Sequence, residues 1–113
     1  MKNKVIDILI EMGIPADNCG FQYIVDAMEL LQQKEWRYVK LTALYHKIGI
    51  MNNVTISRVE RGMRTAFAAA YQNGSEEMIK KYLSTQNRTN GNLIYILYYR
   101  ILQGGNDEQH SIL

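Results

Sequence analysis

The chain has 113 residues, a formal net charge of +2 and a single cysteine, and 47% of its residues are hydrophobic. That length holds one domain with a real core, and the apolar share excludes a disordered chain. No apolar run approaches the roughly 20 residues of a membrane span, and Cys19 has no internal disulfide partner, so a reducing cytoplasm is the expected setting.

Residues Lys2–Met12 read as a first amphipathic helix, stopped by Gly13-Ile14-Pro15. Asp17 or Asn18 can cap a second helix running to about Gln33, with Phe21, Ile24, Val25, Met28 and Leu31 as its inner stripe and Asp26 and Glu29 facing water. Trp36–Leu44 reads as helical and leads into Tyr45–Met51, with a turn at Asn52-Asn53. A long helix is expected from Thr55 to about Asn73, ended by Gly74. Ser75 then caps a short helix to Leu83, and Ser84–Asn92 is polar and loop-like. Leu93–Leu102 forms a last helix, and residues 104–113 form a tail outside the domain, which spans 1–103. Strand-like alternation persists nowhere, so the expected class is all-α with about six helices.

The small net charge conceals a gradient. Residues 1–33 carry two lysines against five acids, 34–100 carry eleven basic residues against four acids, and 101–113 carry two acids; −3, +7 and −2 sum to +2. A basic middle in a near-neutral chain suits a nucleic-acid face, although a solvated basic surface gives the same totals. The sharper signal lies between Asn53 and Arg64. Arg58, Arg61 and Arg64 repeat at i, i+3 and i+6 and share one helical face, while Ile56, Val59, Met63, Phe67 and Ala70 occupy the opposite one. Clustered like charges repel by a few tenths of a kcal/mol, roughly, so a bare arginine stripe makes most sense against something anionic.

With Gly49 as the small residue where two helices meet, the segment reads as a helix-turn-helix. Thr55 can cap its second helix, or Ser57 can with Glu60 in a capping box; the sequence leaves both open. The N-terminal turns of such a helix enter the groove, which puts Ser57, Arg58, Glu60, Arg61, Arg64 and Thr65 nearest DNA. Arginine can bond guanine O6 and N7 together, and a carboxylate accepts from cytosine N4. Adjacent Glu60 and Arg61 therefore suit a C and a G, and Ser57 suits phosphate. Asn52 stands where such motifs place an apolar residue, and Gly62 in mid-helix should cost about 1 kcal/mol relative to Ala.

The same residues carry a resemblance. Leu44-Tyr45, Ile48, the run Asn53–Arg61 with its S-R-V-E-R core, and Arg64 resemble the DNA-binding effector domain of the sporulation master response regulator of endospore-forming bacteria. The likeness extends to Glu11–Ala16, Gly20, Tyr23, Asn73-Gly74 and Thr89-Asn90, and covers roughly residues 3–102. It implies a six-helix transcription regulator that binds a short box in double-stranded promoter DNA, commonly as tandem or dimeric copies. Base and backbone contacts carry over to Arg58, Glu60, Arg61 and Arg64; the family's position at Thr65 is usually histidine. The segment that touches the RNA polymerase sigma subunit aligns with Ser75–Leu83, where Lys80 and Lys81 are new charges. The family places a phosphorylatable receiver domain with a divalent metal site ahead of this part, whereas Met1 opens here directly on the effector-like segment. The expectation is a constitutive binder, or a partner that competes or pairs with a full-length regulator.

The last helix is apolar nearly all round from Leu93 to Leu102, Arg100 excepted, so it is buried by its own domain or by a protein partner. A protein-interaction module docking through that helix is the rival reading. His46, His110 and Cys19 lack the companions that a metal site or a nucleophile needs, so neither metal, cofactor nor enzyme activity is expected.

Overall fold

The computed structural model describes residues 1–104; the expected tail beyond Gly104 lies outside the described residues. Six α-helices run in order: α1 (Lys2–Glu11), α2 (Cys19–Gln32), α3 (Leu41–Asn52), α4 (Ile56–Asn73), α5 (Glu76–Tyr82) and α6 (Asn90–Gly104), with a 3₁₀ turn at Lys34–Trp36. No strand occurs among the described residues, and the fold is all-α.

Helix α2 is the axis of the molecule, packed by α1, α3, α4 and α6. Asn18 caps it, its side chain accepting from Gly20 N at 2.8 Å. A helix covered on several sides has no wide water face, and this corrects one expectation. Asp26 is buried, not solvated; its carboxylate accepts from Gln22 Nε2 at 2.9 Å and from Asn52 Nδ2 at 2.8 Å. Asn52, the polar residue at an apolar place, is the partner that makes the buried acid tolerable, and it also donates to Ile48 O at 2.8 Å.

Two boundaries move as well. The helical reading from Trp36 fails because Arg37 turns back on α2, its Nε donating to Leu31 O and its Nη2 to Gln32 O, both at 3.3 Å. Those bonds satisfy carbonyls at the end of α2, and α3 starts only at Leu41. At the other end, α6 begins at Asn90 instead of Leu93, preceded by a loop that bonds to itself through Ser84 and Asn87 side chains. Ser75 caps α5, accepting from Met78 N at 3.1 Å.

Gly62 is explained by the crossing of α2 and α4. A Cβ there would stand 2.7 Å from Tyr23 Cε2, and one on Gly20 would overlap the Gly62 carbonyl. The two glycines let the helix backbones touch, which offsets the propensity cost.

Candidate nucleic-acid interface

Helix α4 owes its place to its neighbours at both ends. Asn53 takes the left-handed conformation (φ 57) that ends α3, a conformation Asn accepts more readily than most residues. Val54 N then donates to Gly49 O at 2.9 Å, and a Cβ on Gly49 would lie 2.6 Å from Val54 O. The turn closes this tightly only over glycine. Thr55, not Ser57, is the cap: its Oγ1 accepts from Arg58 N at 3.2 Å. Ser57 is left exposed, and Glu60 pairs with Arg64 instead of closing a capping box.

From that start α4 runs 18 residues with two unlike faces. Val59, Met63, Ala66, Phe67 and Ala70 are buried, whereas Ser57, Arg58, Arg61, Arg64 and Thr65 are exposed and Glu60 is half-buried. The six candidate residues are thus brought to the outer side of one helix, but they do not share one hollow. Arg58, Arg61 and Thr65 line a groove of about 480 Å³ with Asn18, Cys19 and Tyr23 of the α2 start. Glu60 and Arg64 line a larger one, about 890 Å³, with Thr42, Tyr45 and the loop residues Asn87, Arg88 and Thr89. Ser57 faces a third, toward the exposed side of α3. The Thr65 hydroxyl donates to Arg61 O at 3.0 Å, which leaves its lone pairs free to accept.

The charges on this side are lightly held. The Glu60–Arg64 pair is exposed and contributes at most a few tenths of a kcal/mol, roughly, so either member can exchange it for another partner. Arg58 and Arg61 have no salt bridge among the described residues. Burial pushes the Tyr23 phenol up, helped by Cys19, while the Arg58 guanidinium pulls the other way.

Sequence reasoning missed a second group of residues. The Asn90 side chain donates to Glu60 O at 2.8 Å and hydrogen-bonds the Tyr45 side chain, tying α3 and α6 to the middle of α4. Burial, first, raises the Tyr45 phenol, and that hydrogen bond lowers it in part. Arg88 stacks over the Tyr71 ring at 3.9 Å to the centroid, placing a fourth cation beside Arg64. Only the tertiary fold joins it to the stripe, since 24 positions of sequence separate the two.

The family model described as the sporulation initiation factor Spo0A C terminal matches residues 5–101. The chain belongs to that family. The Spo0A C-terminal domain is a DNA-binding effector domain of transcription regulation. The match takes in all six helices, short of the first residues of α1 and the last of α6, so the buried core and the exposed arginine side fall within one family unit. No helix among the described residues is long and apolar enough to cross a membrane.

Proposed function

We propose that this chain is a cytoplasmic, sequence-specific transcription regulator whose α3 and α4 act as a helix-turn-helix. Helix α4 enters the major groove of double-stranded promoter DNA by its first turns. Arg58, Glu60, Arg61 and Arg64 meet base edges and adjoining phosphates, while Ser57 and Thr65 serve as phosphate or water-bridged contacts. The observation that carries this reading is the exposed arginine stripe on a helix whose other face is buried in the core. Solvated arginines alone give no reason for three of them on one side, two without a salt bridge among the described residues. Arg88 belongs to the same surface as a backbone contact at its edge. Binding as tandem or dimeric copies, and a sigma-subunit contact through α5 with its exposed Lys80 and Lys81, complete the proposal.

Selection from a random-sequence DNA library at two salt concentrations tests it. A sequence reader enriches one box, and Arg61→Ala fails to select one base pair of it. Weak, salt-sensitive binding without enrichment would reduce the surface to a phosphate binder.

A second reading has its own observation. Tyr99, Leu102 and Tyr38 are 55%, 40% and 91% exposed and, with Tyr95, wall a hollow of about 260 Å³. Helix α6 is therefore not wholly consumed by the core, and an antagonist that pairs with a full-length regulator would dock there. Light scattering with Tyr99→Ser separates the two: DNA selection unchanged with association lost assigns α6 to a protein partner.

A further inference from the structure

Beside the arginine stripe lies a notch of about 740 Å³ between the solvent side of α3 and the first turn of α4. Its polar rim is His46, Asn53, Thr55 and Ser57, and its walls are Ile50, Val54 and Ile56. Ile50 is 63% exposed, on the same face of α3 as exposed His46, at i−4, and exposed Asn53 follows the end of that helix. Val54 and Ile56 are half-buried, their inner sides against the core. That isoleucine stands open to water in the elbow of the two helices, where an apolar group can reach it, and the proposed DNA surface sets which group is near.

We propose that this notch receives the 5-methyl group of a thymine, so that Ile50 and Ile56 determine specificity at one base pair next to those read by the arginines. This rests on the DNA-binding reading and deepens it. Thymine alone among the bases offers a methyl in the major groove. The notch is continuous with the reading face, because Ser57 belongs to both. None of its eight lining residues carries a carboxylate, so a phosphate backbone can approach without repulsion. The side chains of the walls present no donor or acceptor, so cytosine, which lacks the methyl, is told from thymine here by apolar contact with Ile50 and Ile56.

The test uses the box selected above. Each thymine is replaced singly by deoxyuridine, which removes the methyl and nothing else. One position, at the end of the box that meets the start of α4, should lose about fourfold in affinity, the worth of one methyl withdrawn from water. Ile50→Ala, at an exposed helical site that alanine suits, should bind the thymine and deoxyuridine boxes equally at that position and keep its selectivity elsewhere. Ile56→Val, one methylene smaller, should narrow the difference. A box in which no thymine responds, or a response unchanged in both variants, overturns the inference and leaves the DNA reading standing. Failure to enrich any box overturns both. Ile50→Ala that leaves DNA binding untouched and abolishes self-association assigns the notch to a second copy, and also overturns it.

Discussion

On the proposed DNA surface, Arg61 and Arg88 should make two kinds of contact. Arg61 is exposed on α4 with no salt bridge among the described residues, and its loss should cost roughly 1–3 kcal/mol of binding and relax preference at one base pair. Arg88 is anchored on Tyr71, so Arg88→Ala should weaken all sequences alike and lower the salt slope by about one. Titrating both variants against the selected box and a scrambled one checks this pair; equal patterns would contradict the division. Asp26 makes a different point at the same scale. Its carboxylate is buried with two donors, so Asn52→Ala leaves it short of one and should cost about 1–3 kcal/mol of stability. A double-mutant cycle with Asp26→Ala should give coupling on the order of 1 kcal/mol; additive losses would mean that the two residues act apart.

Helix α4 is held by its cap and by its crossing with α2. Since Thr55 accepts from Arg58 N, Thr55→Ala should lower stability by about 1 kcal/mol, while Ser57→Ala should leave the thermal midpoint in place. The reverse result would move the helix start by two residues. At the crossing, a methyl on Gly20 has the Gly62 carbonyl in its place. Gly20→Ala should therefore destabilise by about 1–3 kcal/mol, and thermal unfolding would show it. The arginine spacing, the glycine-bounded turn and the serine cap of α5 were all legible in the sequence, because periodicity and capping are local. The start of α3 was not: Arg37 is spent on the carbonyls of α2, and no local pattern announces a side chain that turns backward.

Across the whole molecule, tyrosines bridge the helices and set how it responds to alkali. Tyr45, Tyr71 and Tyr95 are all raised above the ordinary phenol value of 10.0, burial being the first cause in each. In the unfolded chain these phenols ionise near pH 10, roughly, before their folded counterparts do. The stability they contribute is therefore complete below that pH and is lost as pH rises through the raised folded values. A thermal midpoint followed upward from neutral pH should hold and then fall above about pH 10, together with phenolate absorbance; a flat midpoint through that range would contradict their burial.

The helical class, the amphipathic split of α4 and the residues on its outer side were all set at the level of the amino-acid sequence. Each of these follows from spacing along one helix. Tertiary structure decided what no local rule encodes. It buried Asp26 against Asn52 across 26 positions, turned Gly62 from a defect into the floor of a helix crossing, and carried Arg88 to the arginine stripe. The physical reason is the same in each case: a side chain's partner is chosen by which helices pack together, and α2 packs against four others.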